Sequence, residues 1–116
     1  MDMINRAVAI IKPKQPFLAW VGGLPDPMDC SLEELRQDCT VVRIPDEMDD
    51  IKANKYMQRI YQELFDAELA AWHLNVDDWP TDRDFSMFCA WFEIEFHSLV
   101  LDSLNTPIQR EAYLVS

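Results

Sequence analysis

The sequence predicts an α+β fold: a single small sheet of about three strands covered on one face by helices, one of them long and amphipathic. Three observations lead to this prediction. Two apolar or β-branched runs and one alternating segment are typical of strands. A long central segment repeats apolar residues at helical spacing. The chain has 116 residues, of which 49% are hydrophobic, and this fits one domain with one core.

The first strand is predicted at residues 6–11, where both faces are apolar, as in a central strand. Pro13 ends it. Pro16 lies where the first turn of a helix tolerates proline, because the missing N–H has no partner there anyway. Gly22 and Gly23 are expected to stop this first helix.

A short helix and a second strand follow. Ser31 and Glu34 have the spacing of a capping box, so a short helix is expected after Ser31. Residues 39–44 are rich in β-branched side chains and are predicted as the second strand, which Pro45 ends.

The long helix is predicted over residues 51–72. An apolar stripe runs along it at spacings of three and four residues, and Tyr56, Tyr61 and Phe65 widen it. Its members are Ala53, Met57, Ile60, Leu64, Ala67 and Ala71. The acidic residues at 46–50 precede it, where negative charge stabilises a helix N-terminus. At 1.5 Å per residue the helix would be about 30 Å long and would span the domain.

A last helix and a third strand complete the core elements. Thr81 or Asp82 is expected to cap a helix with one apolar face, formed by Phe85, Phe88, Cys89 and Phe92. Residues 93–100 then alternate with period two, which predicts a strand. Residues 105–116 lack periodicity and are expected to be either a frayed tail or a segment docked on a neighbour. All 116 residues are expected to form one domain.

The negative charge is concentrated in the middle of the chain. The net charge is −11, and residues 46–95 contain thirteen acidic against four basic residues, a net charge of −9. Such a field repels nucleic-acid phosphates and anionic membranes and attracts basic partners. We therefore expect a basic protein surface as the partner, with no direct nucleic-acid binding and no membrane.

Cysteine usage and the N-terminus indicate a reducing cytoplasm. Cys30, Cys39 and Cys89 form no disulfide framework and no C-x-x-C motif. The first residues lack the basic start and long apolar stretch of a signal peptide, and no apolar run is long enough for a membrane span. With only Gly22 and Gly23, the chain has no phosphate-binding glycine loop, so no cofactor is expected.

Residues 12–20 (KPKQPFLAW) and 91–100 (WFEIEFHSLV) are the most distinctive segments. They resemble segments of a family of small acidic bacterial proteins that carry no assigned function. The similarity covers most of the chain and is strongest near its two ends. The resemblance implies a bacterial cytoplasmic protein and transfers no catalytic residue.

The candidate partner-binding residues are acidic positions in two clusters and one tryptophan: Asp46, Glu47, Asp49, Asp50, Asp77, Asp78, Trp79, Asp82 and Asp84. The first cluster is also explained by charge at a helix N-terminus. The second exceeds what capping requires, and it does not match an EF-hand loop. Trp79 is either an exposed binding anchor or a cap on the core beneath its loop.

Glu93, Glu95 and His97 are the candidate metal or acid/base residues, since alternate residues of a strand share one face. Two carboxylates and an imidazole could hold a divalent metal if other segments supplied ligands. The simpler interpretation is a solvated strand face that pairs with Arg6 or Arg43 across the sheet. Because E-x-E-x-H is not a recognised ligand spacing, we expect no bound metal.

Three functions remain open at this point. The first is a non-enzymatic protein-interaction module that uses the acidic surface. The second is a nucleic-acid-mimicking inhibitor of a DNA- or RNA-binding protein, which requires carboxylates in two rows at phosphate-like spacing. The third is a metal-assisted enzyme built on Glu93, Glu95 and His97. The absence of any catalytic motif favours a protein that is not an enzyme.

Overall fold

The computed structural model describes residues 1–113 and confirms the α+β fold. A 3₁₀ turn at Val76–Asp78 separates the last two helices. The elements in chain order are β1 (Asp2–Met3), β2 (Arg6–Pro13), α1 (Gln15–Gly22), α2 (Leu32–Leu35), β3 (Thr40–Pro45), α3 (Asp50–Ala70), α4 (Phe85–Trp91), β4 (Phe92–His97) and β5 (Leu101–Asp102).

The main sheet is antiparallel with strand order β3-β2-β4, so the strand predicted to be central is central. Residues of β2 alternate between buried and half-buried positions. Ala9 is fully buried and lies opposite Val42 and Phe96, which share its face. Val8 and Lys12 point to the other face. The helices therefore cover one face of the sheet and leave the other open.

The local signals for the two short helices are confirmed. Gly23 caps α1, and its N–H donates to the carbonyl oxygens of Ala19 and Trp20, each at 3.1 Å. In α2 the Glu34 N–H donates to Ser31 Oγ at 3.1 Å, and the Ser31 N–H donates to Glu34 Oε1 at 3.3 Å. Both caps satisfy backbone groups that a helix end leaves unpaired.

The buried stripe of α3 is rotated toward Phe65, which was predicted only to widen the stripe. Its buried members are Ala53, Met57, Phe65 and Leu69. The predicted members Ile60, Leu64 and Ala67 are only half-buried, and Ala71 is exposed. The rotation follows from aromatic packing, because the Phe65 ring centroid lies 5.6 Å from that of Phe88 and 5.7 Å from that of Phe92.

The α4–β4 boundary corrects two further predictions. The cap of α4 is Asp84, whose Oδ1 accepts a hydrogen bond from the Met87 N–H at 2.8 Å, and not Thr81 or Asp82. Asp82 has a left-handed backbone with φ 55°, which is not a capping conformation. Phe92 is the first residue of β4 and not part of the helix. The chain thus passes from helix to strand without a loop.

The third strand is shorter than predicted, and a second small ladder follows it. β4 ends at His97, and β5 pairs with β1, with Met3 opposite Leu101. Val8 lies opposite His97 in the main ladder. The segment from Met3 to Val8 therefore has one more residue than the segment from His97 to Leu101. This extra residue breaks the ladder, as a β-bulge does, and the alternation over residues 93–100 does not continue as one strand.

The C-terminal segment has no regular secondary structure at residues 103–113, and these side chains are exposed. Residues 108–111 line a cleft beside the outer edge of β3, together with Arg43 and Tyr56. The rest of the predicted tail, residues 114–116, lies outside the described residues. Within residues 1–113, no helix is both long enough and apolar enough to cross a membrane.

Candidate functional site

The loop between α3 and α4 carries the second acidic cluster and is held in place by side-chain hydrogen bonds. The indole N–H of Trp79 donates to the carbonyl oxygen of His73 at 2.8 Å. The indole N–H of Trp20 donates to the carbonyl oxygen of Asp78 at 3.0 Å. The Asp78 carboxylate lies 2.7 Å from Nε2 of His73. These three contacts give the loop a defined shape.

Arg83 connects this loop to α3. Its guanidinium carbon lies 5.4 Å from the ring centroid of Trp79 and 5.7 Å from that of Phe65. Its Nη2 donates to Asp66 Oδ1 at 2.7 Å. Arg83 is the only lysine or arginine between Arg59 and Arg110. The positive charge of Arg83 is paired with the Asp66 carboxylate.

We call Asp77, Asp78, Asp82 and Asp84 the acidic corner. All four residues are exposed. Of the four, only Asp78 has an ion-pair partner, His73, in the part of the chain that the structure describes. Asp84 also caps α4 with one carboxylate oxygen. Among residues 1–113, no lysine or arginine forms a salt bridge with any of these four carboxylates.

Trp79 packs inward. Its side chain is half-buried against the hydrophobic core, and its indole N–H is used within the loop. Because Arg83 covers one part of the ring, Trp79 acts as a brace for the loop and offers a partner only its exposed rim. This geometry agrees with the interpretation of Trp79 as a cap on the core.

The first acidic cluster lies at the N-terminus of α3. Asp49 is the N-cap residue, and its Oδ1 accepts a hydrogen bond from the Lys52 N–H at 2.8 Å. Asp50 lies in the first turn, where its negative charge interacts favourably with the helix dipole. Glu47 has a left-handed backbone with φ 57°.

The two acidic clusters are separated along α3. The helix has 21 residues, which corresponds to about 30 Å between its ends. The first cluster precedes the helix and the corner follows it. Asp46 of the first cluster also shares a cleft with Arg6, Arg43 and Arg110, so basic side chains are close to that cluster.

Glu93, Glu95 and His97 lie on the open face of the sheet as ion-pair partners. Glu95 forms a salt bridge with Lys12, and its Oε1 lies 2.7 Å from Nε2 of His97. Glu93 turns instead to Arg36, with 3.1 Å between Oε1 and Nη2. The predicted partners Arg6 and Arg43 are wrong, because the register places Lys12 opposite Glu93 and diagonal to Glu95.

These contacts shift the pKa values of Glu95 and Lys12. The hydrogen bond from Lys12 lowers the pKa of Glu95, and His97 lowers it further. The same hydrogen bond raises the pKa of Lys12. Among residues 1–113, no three His, Cys, Asp or Glu side chains are grouped so that they could hold a metal ion.

A second concave site was not predicted. It lies between the C-terminal half of α3, α2 and the start of β3, and we call it the Glu68 groove. Its lining includes Phe17, Leu64 and Trp72 beside Glu68 and Thr40. Burial raises the pKa of Glu68, and the nearby Thr40 hydroxyl opposes this shift.

Comparison with known proteins assigns the chain to no family. No protein-family model, curated protein or solved structure matches the chain.

One sequence signal could have revealed the groove. Leu64, Glu68 and Trp72 are spaced four residues apart, so they share one face of α3. A carboxylate between two large apolar side chains on a helix face indicates a site where charge meets an apolar surface.

Proposed function

We propose that the protein is a non-enzymatic interaction module that binds a basic surface of another protein through the acidic corner. One observation supports this most strongly. Arg83, the only lysine or arginine between Arg59 and Arg110, is bound to Asp66, and within residues 1–113 no salt bridge engages Asp77, Asp82 or Asp84. Exposed charges of one sign attract an oppositely charged surface and accelerate its encounter.

The fixed shape of the loop supports the same proposal. Trp79, His73 and Trp20 hold the loop through hydrogen bonds before any partner arrives. A surface that is already ordered loses less conformational entropy on binding. The corner therefore suits a specific contact better than a mobile acidic tail does.

The cluster at the N-terminus of α3 has a supporting role in this proposal. Asp46 lies near Arg6 and Arg43, and Asp49 caps the helix, so part of its charge has a local use. The cluster adds to the negative field that steers a basic partner, while the corner makes the close contact.

The ion pairs of Glu93 and Glu95 favour an interaction module over the enzyme alternative. A general acid or base must be free to exchange a proton with a substrate. Glu95 is instead held by Lys12 and His97, and Glu93 by Arg36. These contacts support a structural role for the strand face.

Site-specific photo-crosslinking in native extract tests the proposal. A photoreactive amino acid replaces the exposed Asp77 or Thr81 at the corner, and Glu33 or Glu63 elsewhere as controls. The proposal predicts one basic protein captured from positions 77 and 81, less at high salt. Equal capture from all four positions contradicts it. Loss of the crosslink on addition of DNA or RNA supports the nucleic-acid-mimicking alternative.

A further inference from the structure

The Glu68 groove has the size and lining of a small-molecule site. Its volume is about 770 Å³, and ligand sites commonly range from about 300 to 1,000 Å³. Ile11, Phe17 and Leu64 form part of an apolar wall. Phe17 and Ile11 belong to the buried core, so this wall is rigid.

The charges that line the groove are all negative. Among the described residues its acidic members are Glu34, Asp38 and Glu68, and no lysine, arginine or histidine lines it. Glu34 is engaged by Ser31 in the capping box of α2. Arg36 is close in sequence but donates to the Pro13 carbonyl oxygen at 3.3 Å and to Glu93 at 3.1 Å. Within residues 1–113, Glu68 therefore has no cationic partner.

The position of Glu68 is unfavourable for a free carboxylate. Its side chain is half-buried beside Leu64, Ala67 and Trp72, and the contact that stabilises its charge is the Thr40 hydroxyl. Burial of a charge without a counter-ion costs free energy. A bound cation would remove this cost.

We propose that the Glu68 groove binds a small organic amine, with the ammonium group on Glu68 and the apolar body against Phe17 and Leu64. Trp72 and Tyr113 also line the groove, and aromatic faces attract ammonium groups. The groove shares no residue with the acidic corner, so this proposal stands independently of the proposed function.

Three probes with the same body, a phenyl ring on four methylenes, and different head groups test this inference: phenylbutylamine, phenylbutanol and phenylpentanoate. Each is titrated into the full-length protein while amide NMR shifts are recorded. The amine should shift amides along the groove, such as those of Leu35 and Val42, and bind roughly tenfold or more tightly than the alcohol, as one charge-assisted hydrogen bond allows. The carboxylate should bind most weakly.

Two variants on the same helix test whether the charge of Glu68 causes the preference for the amine. Glu68→Gln should abolish the preference for the amine and leave binding of the alcohol unchanged. Glu63→Gln, which removes an exposed carboxylate outside the groove lining, should change neither. In the wild-type protein, intermolecular NOEs should place the amine-bearing methylene next to Glu68, and this measurement needs no variant.

Three results would overturn the inference. The first is equal affinity for the amine and the alcohol. The second is equal loss of amine binding in Glu68→Gln and Glu63→Gln. The third is a set of groove shifts that depends on protein concentration without any probe, because a second copy of the chain would then occupy the groove.

Discussion

Lys12 on the central strand binds the carboxylate of Glu95 on the neighbouring strand β4, diagonally across the ladder rather than in direct registry. The pair lies on the open face of the sheet, next to His97. It engages one carboxylate of the Glu93, Glu95 and His97 pattern with an ammonium group, as in the interpretation of this pattern as a strand face with cross-strand ion pairs.

Lys12→Gln should raise the pKa of Glu95 toward its ordinary value, because the hydrogen bond from Lys12 is the largest cause of its lowering. NMR titration of the Glu95 side chain measures this. Lys14→Gln is the matched control, since Lys14 Nζ donates to the Cys89 carbonyl oxygen at 2.9 Å and not to Glu95. An unchanged Glu95 pKa in Lys12→Gln would show that the ion pair does not form.

The Lys12–Glu95 pair should also make the free energy of unfolding depend on pH. The pKa of Glu95 is lowered in the folded protein, so its contribution to stability is present above the unfolded pKa and is lost as the pH falls through the folded one. Wild type and Lys12→Gln should therefore differ in free energy of unfolding at neutral pH and converge in acid.

Phe65→Ala should destabilise the protein by about 3–5 kcal/mol, because the ring is fully buried against Phe88 and Phe92. The neighbouring change Leu64→Ala should cost only about 1 kcal/mol, since Leu64 is half-buried at the groove. Urea denaturation compares the two. A larger loss of stability for Leu64→Ala than for Phe65→Ala would mean that the buried stripe is centred on Leu64, as the sequence predicts.

Asp84→Ala should cost about 0.5–2 kcal/mol, because it removes the side chain that caps α4. Asp84→Asn keeps an oxygen that can accept from the Met87 N–H and should cost much less. Thermal unfolding of both proteins checks the difference. Equal losses would mean that charge, and not the cap, stabilises this end of α4.

Glu68→Gln should stabilise the protein at neutral pH. Burial raises the pKa of Glu68, so the folded state holds its proton more tightly than the unfolded state does. The wild-type stability therefore falls as the pH rises from the ordinary glutamate pKa through the raised one, and a neutral amide at this position removes the loss. Glu63→Gln serves as the exposed control, and denaturation at several pH values shows whether the gain vanishes in acid.

The parts of the fold that depend on local pattern were predicted from sequence. The capping box of Ser31 and Glu34, the Gly23 cap and the long helix each have a signal within a few residues. The central position of the first strand also followed from its apolar faces. Short-range chemistry decides these features, so a single sequence contains them.

Features that depend on distant residues were not predicted. The rotation of the α3 stripe depends on Phe88 and Phe92, which follow more than twenty residues later. The partner of Glu95 depends on strand register, and a two-residue strand such as β5 has too little pattern to detect. The Glu68 groove arises only when α2, α3 and β3 come together.

The central claim is that the acidic corner, and not acidity in general, binds a basic partner. Two variants that each remove three charges separate these possibilities: Asp77→Asn, Asp82→Asn and Asp84→Asn at the corner, and Asp46→Asn, Asp49→Asn and Asp50→Asn at the start of α3. Asparagine preserves the caps at Asp84 and Asp49 and tolerates the left-handed backbone of Asp82.

The most direct measurement uses the partner that photo-crosslinking identifies. Its rate of association with each variant is measured by surface plasmon resonance over a range of salt concentrations. We expect the corner variant to associate roughly tenfold more slowly at low salt and the difference to shrink as salt rises. The association rate of the variant at the start of α3 should fall much less. Equal slowing in both variants, or no slowing in either, would contradict the assignment of the binding surface to the corner.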